Sequence, residues 1–376
     1  MGRTLAFPGF IDVHVHFRDP GVPEAETTAS GLASAVRGGF AAVVTMPNTS
    51  PATDSAAMMD YQRSKASGPA ILLPSACITK GRLGREVADL EALADAGAAF
   101  FTDDGSYVSD GHVMEEAMRR SARLGMCVCE HAMDPKEQGA GVMRDCDLAR
   151  RLRLPVIPAA AETAAIRRDL SVCRVTGCRL HIQHISTAEG VSLVRDAQKE
   201  GLPVTAEATP HHIAFSCDGL GSDDANYKMA PPLGNDEDVA ELRRGVKEGV
   251  LMFATDHAPH PAAKKSLGFA KSANGIIGLE AAIPVTWQVM GEEEGMPPDA
   301  WAEAWWKMPR TILSPSALAR LGAARETTVE VGERRAIDIS RFASLSRNCP
   351  YNGFESNCRA SGCYAESRGA SAADLV

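Results

Sequence analysis

Short apolar, strand-like runs recur along the chain, each followed by a loop and a helical-looking segment. They occupy residues 10–17, 40–48, 70–78, 98–105, 125–132, 179–186, 202–212 and 250–260. Helix-like stretches at 26–37, 85–96, 113–124 and 188–200 lie between several of them. Strands alternating with helices predict parallel βα units. Eight such units over about 250 residues match the length of a closed (β/α)8 TIM barrel. A doubly wound open sheet is the competing arrangement, but no Gly-x-Gly-x-x-Gly follows the first run to support it.

The polar residues gather at the C-terminal ends of these runs. His14, His16 and Arg18 end the first, Asn48 the second, and Asp103 and Asp104 the fourth. His131 ends the fifth, His184 the sixth, and Asp256, His257 and His260 the eighth. A (β/α)8 barrel brings its C-terminal strand ends to one mouth, so residues distant in sequence are expected to converge there. The two-residue period of a strand puts Asp12, His14, His16 and Arg18 on one face and Ile11, Val13, Val15 and Phe17 on the other.

A single histidine at a strand end is more often a hydrogen-bonded core or surface residue than a ligand. The His14-x-His16 pair is a stronger signal, because two imidazoles on one face can ligate one ion. Four histidines and two or three aspartates at equivalent strand ends strengthen it further. Histidine with carboxylate and no cysteine suits Zn2+ or a neighbouring divalent ion. Six candidate ligands exceed what one open catalytic zinc takes. A two-metal site with a shared carboxylate is therefore expected, of the kind that activates water near neutral pH.

Several further motifs read more simply as structure. His211-His212, after Pro210, is expected to be structural or to support ligands. Asp103-Asp104 lie in a turn, where Asp-Gly is common for backbone reasons. Strand neighbours also point opposite ways, so one of the two aspartates is expected to reach the mouth. Cys127-x-Cys129 sits on a buried strand and should pack, while Trp301, Trp305 and Trp306 read as a helix face.

Charge narrows the class of partner. A net charge of -9 over 376 residues argues against nucleic acid or anionic membrane. No apolar run approaches the roughly 18 residues of a membrane-spanning helix. Ten cysteines without a CxxC pair, and no signal pattern at the start, predict reduced thiols in a cytoplasmic protein.

Taken together, His14-Val15-His16-Phe17-Arg18-Asp19-Pro20-Gly21, Met46-Pro47-Asn48-Thr49 and Thr255-Asp256-His257-Ala258-Pro259-His260 resemble the dihydroorotases of the amidohydrolase superfamily. Phe101-Thr102-Asp103-Asp104-Gly105, His181-Ile182-Gln183-His184-Ile185-Ser186 and Pro210-His211-His212 narrow the resemblance to the bacterial type I enzymes. It runs from about residue 7 to 285, and weakly through Asn348-Cys349-Pro350-Tyr351-Asn352-Gly353.

The resemblance implies a barrel of the metal-dependent hydrolase type holding one or two Zn2+. His14, His16 and Asp256 would hold one ion and His131 and His184 the other, with Asp104 bridging in place of a carboxylated lysine. Arg18, Asn48 and His260 would bind the substrate carboxylate, for which a guanidinium fork is suited. Gly275 would offer backbone contacts to the substrate ring, and Asp12 would support its neighbours. Asp256 would shuttle a proton from the attacking water to the ring nitrogen. The implied reaction is the reversible, zinc-dependent cyclisation of N-carbamoyl-L-aspartate to L-dihydroorotate in de novo pyrimidine synthesis. The implied partners are that small-molecule substrate, and a homo-oligomer or an aspartate transcarbamoylase complex.

Hydantoinases and allantoinases share the barrel and His-x-His, but as a rule carry a carboxylated lysine at the fourth strand and lack this HFRDPG and MPNT pairing. A hydantoinase-like cyclic amidohydrolase is one alternative. An inactive dihydroorotase-like subunit supporting aspartate transcarbamoylase is another, though such relatives usually lose metal ligands and all six positions are intact here.

Three departures from the family pattern stand out. Lys228-Met229-Ala230-Pro231-Pro232-Leu233-Gly234 has Ala230 where the family has a substrate-contacting asparagine, a loss typically worth about 1–3 kcal/mol of binding. Lys271-Ser272-Ala273-Asn274-Gly275 replaces a Pro-Phe-Gly-like loop. Finally, the chain starts close to the first barrel strand, so the N-terminal half of the family's small β-sandwich is expected to be missing. This gives a barrel over 7–322, followed by an incomplete sandwich remnant and poorly ordered tail over 323–376. A strand-like 327–332 lies in that remnant, and the chain ends GASAADLV.

Overall fold

In the computed structural model, which describes residues 2–322 and 325–365, the strand-like runs close into a parallel ring. After β1 (Arg3–Pro8), seven strands build it: β2 (Phe10–Val15), β3 (Phe40–Thr45), β4 (Ile71–Pro74), β5 (Cys127–Glu130), β6 (Arg179–Ile182), β7 (Val204–Ala208) and β8 (Leu251–Phe253). β2, β3 and β4 pair in parallel, as do β5 to β8. The run at 98–105 supplies the eighth position as a bridge at Phe101 rather than a full strand. On one side the Thr102 amide donates to the Ala76 carbonyl (2.9 Å), and on the other the Cys129 amide donates to that of Phe101 (2.8 Å). The second seam closes through Val15 and His257, with the His16 amide donating to the His257 carbonyl (2.8 Å).

Parallel strands covered on both faces are buried throughout, as all six residues of β3 are. Ile11, Val13, Ala42, Val44, Leu73, Phe100, Cys127, Cys129 and Met252 pack with one another inside the ring. Phe10, Val15, Phe40, Val43, Phe101 and Val128 pack outward among helix residues such as Leu32, Met114 and Val194. Cys127 and Cys129 thus fill the barrel interior, as expected of a packing pair.

The simple alternation expected along β2 breaks. Ile11 and Val13 face inward, whereas Val15 and Phe17 lie in the outer layer, and the pairing with β3 slips between Asp12 and Val15. An irregularity of this kind re-aims the side chains beyond it. His14 and His16 therefore turn to the mouth, while Asp12 does not share their face.

Helix starts follow local chemistry. Thr27 and Ser30 form a reciprocal cap on the helix Thr28–Arg37, and Asp110, Thr187 and Asn235 cap later helices by accepting amide hydrogens. Of the stretch expected at 85–96, only Leu90–Asp95 is helical. Trp301 and Trp305 form a buried helix face, each donating its indole N–H to Thr286 Oγ1 (3.2 and 3.3 Å).

The tail corrects the expected outline. β1 pairs antiparallel with β9 (Arg325–Ala336), from Arg3 opposite Val331 to Pro8 opposite Glu326. β10 (Glu355–Ala365) pairs with the other edge of β9, so the three strands form one sheet in the order β1-β9-β10. A strand therefore precedes the barrel and crosses the expected boundary at residue 7, and the Gly-, Ser- and Cys-rich sequence continues as strand through Ala365. Cross-strand pairing overrides weak strand propensity in both segments. The terminal GASAADLV lies outside the described residues. Among those residues no helix is long and apolar enough to cross a membrane.

Candidate metal centre

The ring delivers its polar strand ends to one point. Asp104 Oδ1 lies 3.3 Å from His14 Nε2 and 3.5 Å from both His131 Nδ1 and His184 Nε2. Its Oδ2 is 3.3 Å from His16 Nε2. Asp256 Oδ1 is 2.9 Å from His16 Nε2 and 3.5 Å from His14 Nε2. His131 Nδ1 and His184 Nε2 are 2.9 Å apart. Two overlapping trios, His14/His16/Asp256 and His14/Asp104/His184, which share His14, have ligand atoms close enough to hold an ion.

The donor chemistry fits a divalent cation. His14 Nδ1 lies 2.5 Å from Glu207 Oε1, so the ring donates its proton there and turns the Nε2 lone pair toward Asp104 and Asp256. His16 Nδ1 donates to Asn48 Oδ1 (2.9 Å), which leaves its Nε2 lone pair facing Asp256. His14 Nε2 and Asp104 Oδ1 are buried with no hydrogen-bond partner. Lone pairs converging on lone pairs away from water repel unless a cation lies between them.

The charge states agree. Burial works against charge on Asp104 and Asp256, yet His14, with His131 beside Asp104 and His16 beside Asp256, holds both carboxyls below the usual range. Burial likewise opposes charge on His14, but Asp104 and Glu207 raise it well above an ordinary imidazole, so the pocket favours positive charge at this point.

Two of the candidate ligands occupy unusual backbone. His184 (φ 34°) and Asp256 (φ 48°) are left-handed, a conformation costing non-glycine residues of order 1–3 kcal/mol. Buried carboxylates hold both in place. Asp12 accepts from the Thr255 amide (3.0 Å) and hydroxyl (2.5 Å) and from the His14 amide (3.2 Å). Glu207 accepts from the His184 amide (3.2 Å) and lies 3.0 Å from His181 Nε2. Asp12 thus acts on its neighbours as expected, by a route other than a shared strand face. Glu207 carries no motif; its one sequence signal is a carboxylate within a short, mostly apolar strand.

The remaining candidates sort by contact. Asp103 turns away from the mouth and accepts from the Ile78 (2.9 Å) and Thr79 (3.1 Å) amides, leaving Asp104 to face the histidines. His257 accepts from the Gly278 amide (3.1 Å), and His212 bridges Thr209 Oγ1 (2.8 Å) and the Pro231 carbonyl (3.0 Å). Arg18, Asn48 and His260 line one pocket of about 160 Å3 with Gly21 and Pro259. Arg18 Nε donates to the Pro259 carbonyl (3.1 Å), which presents the terminal nitrogens as a fork. Burial lowers this guanidinium only to about 10, so it stays cationic at neutral pH. His260 Nε2 donates to the Asn274 carbonyl (2.6 Å).

Gly275 is used differently from expectation. Its amide donates to the Lys228 carbonyl (3.0 Å), and its carbonyl accepts from Lys265 Nζ (2.9 Å) and Asn348 Nδ2 (3.0 Å), so its backbone is already engaged. At φ 124° a Cβ there would stand 2.7 Å from Ala258 Cβ and 3.1 Å from His260 Nε2, so the glycine makes room for that ring.

Known proteins place this geometry in a family. Residues 2–190 match the family model described as "Dihydro-orotase-like". The dihydroorotase of Geobacillus sp. (strain WCH70) is 39% identical over 356 residues, covering 93% of this chain and 83% of its own. The chain belongs to the dihydroorotase family. The dihydroorotase of Carboxydothermus hydrogenoformans is 45% identical over 286 residues, covering 76% of this chain and 66% of its own. Among solved structures, the L-hydantoinase (dihydropyrimidinase) of Arthrobacter aurescens superposes with a TM-score of 0.79 over 95% of this chain and 83% of its own. Its 24% identity speaks for the barrel fold alone. As a member of the dihydroorotase family the protein is a metal-dependent cyclic amidohydrolase, and hydantoinase activity fits it less well.

Proposed function

We propose that the protein interconverts L-dihydroorotate and N-carbamoyl-L-aspartate at this mouth, as a step of de novo pyrimidine synthesis, with zinc as its metal. The observation that carries this reading is one pocket in which a carboxylate-gripping set, Arg18, Asn48 and His260, adjoins the metal-ligating set through the His16–Asn48 hydrogen bond. Dihydroorotate offers a ring carboxylate to the Arg18 fork beside a cyclic amide. A hydantoin ring without that carboxylate would leave the guanidinium unpaired. The nine free cysteines among the described side chains are all buried, which accords with a reducing cytoplasmic setting.

His14, His16, Asp104, His131, His184 and Asp256 would hold the metal, one or two ions per chain. When bound, the metal supplies Lewis acidity and lowers the pKa of water. Arg18 fixes the substrate carboxylate and so presents the ring amide to the ligand cluster. Asn48 orients His16 through Oδ1, which leaves its Nδ2 hydrogens for the substrate. Asp256 takes the proton from the attacking water and delivers it to the ring nitrogen as the C–N bond breaks. Ring closure runs the same transfers backwards. An ionised carboxylate is a weak base, but here it moves one proton over hydrogen-bond distance.

Asp256→Asn keeps an oxygen ligand and removes the base. Turnover should fall by about 10^2–10^4-fold with most metal retained, read by steady-state kinetics beside metal analysis. Near-normal turnover in that variant would contradict the proton shuttle.

A further inference from the structure

Lys265 is a buried lysine that makes no ion pair among the described residues, with only 9% of its surface exposed. Its ammonium donates to the carbonyls of Gly275 (2.9 Å), Ala273 (3.0 Å) and Lys228 (3.1 Å). Three donors meet three acceptors, so the group is saturated. The acceptors come from two separate segments, one of which carries Ala230 in place of the family asparagine. Ala273 and Gly275 bracket Asn274, whose carbonyl holds His260 Nε2 at 2.6 Å. The Gly275 amide ties the same two segments together through the Lys228 carbonyl (3.0 Å).

We propose that Lys265 is a positioning residue for substrate binding: by gripping the carbonyls on either side of Asn274 it sets the direction of the His260 ring in the pocket shared with Arg18 and Asn48. The choice of substrate rests on the dihydroorotate reading; the gripping of the loop does not. An apolar side chain of the same size would avoid burying a charge, but it would take a donor from three carbonyls in one place, leaving Gly275 with Asn348 Nδ2, Lys228 with the Gly275 amide and Ala273 with none of these. The ammonium thus joins three carbonyls of the two segments at one point.

Protonation follows from the surroundings. Burial first, then repulsion from Lys228, outweigh the attraction of Asp224 and push Lys265 down from 10.5 to about 7. Below that pH the ammonium serves all three carbonyls. Above it, an amine keeps two N–H bonds and turns a lone pair on the third carbonyl, so the loop loosens as pH rises. His260, lowered to about 4 by burial and Arg18, is neutral across this range and does not contribute to the change.

The test uses the full-length, zinc-supplied protein with L-dihydroorotate between about pH 6 and 8.5, as wild type, Lys265→Met and Lys265→Arg. At the acid end, Lys265→Met should raise KM about tenfold while kcat stays within about threefold and bound metal is unchanged. Wild-type KM should rise with pH through about 7, with no such rise in Lys265→Met. Lys265→Arg, charged throughout, should recover part of the affinity and lose the pH dependence.

An unchanged KM in folded, metal-loaded Lys265→Met would overturn the proposal. So would a parallel fall of kcat, metal content and melting temperature, the mark of a merely structural residue. Amide hydrogen exchange separates this from failure of the substrate reading. If wild type does not hydrolyse dihydroorotate, that reading fails; the Gly275 amide should still exchange about tenfold faster in Lys265→Met. Equal exchange overturns the loop role. The wild-type pH series needs no variant to fold.

Discussion

At the residue scale the candidate centre depends on carboxylates outside the cluster of candidate ligands. Glu207 accepts His14 Nδ1–H and the His184 amide, so it fixes both the tautomer of one candidate ligand and the backbone of another. Burial opposes its charge, but His14 and His181 hold its carboxyl down at about 2, ionised at any working pH. Glu207→Gln should keep the shape and weaken metal binding by about 10–100-fold, read by competition with a chromophoric chelator, with the fold unchanged by circular dichroism. Unaltered affinity would mean that His14 needs no such support. The cluster of candidate ligands was legible from sequence, because histidines and aspartates recurring at successive strand ends converge on one barrel mouth, where burying them is costly unless they share an ion. Asp104 could be told from Asp103 only through the resemblance, since the turn conceals which one faces inward. Glu207 was not legible, because a single acid in a mostly apolar strand has no spacing to give it away.

At the element scale, the helix Thr28–Arg37 rests on the segment that carries Arg18. A Cβ on Gly31 would come within 2.3 Å of the Phe17 ring. Replacing glycine by alanine inside a helix normally gains up to about 1 kcal/mol. Here overpacking against a buried ring should outweigh that gain, so Gly31→Ala is expected to destabilise by about 1–3 kcal/mol net in denaturant melts. A stabilised variant would show that the helix and the Phe17 segment can part without cost. Element type was legible where periodicity was long, as at Gly111–Leu124 and Ala188–Lys199. It failed where neighbours decide: the slip in β2, the one-residue bridge at Phe101, and the edge strands Arg3–Pro8 and Glu355–Ala365 all depend on partners that periodicity does not reveal.

At the scale of the whole molecule, ring closure turns scattered residues into a site. His16 meets Asp256 because the Val15–His257 bridge joins the first and last barrel strands, and Asn348, beyond the barrel, ties the Ala258 and Gly275 carbonyls together (3.0 Å each). A cyclic amidohydrolase of this build should need its metal for turnover and tolerate Ala230 at some expense in affinity. The most direct measurement is hydrolysis of L-dihydroorotate by the purified protein, zinc-supplied in one sample and chelated in another. Turnover that is lost on chelation and returns with zinc is the expected result. A folded, zinc-loaded protein that leaves dihydroorotate intact would contradict the proposed function and point to another cyclic substrate or a non-catalytic role.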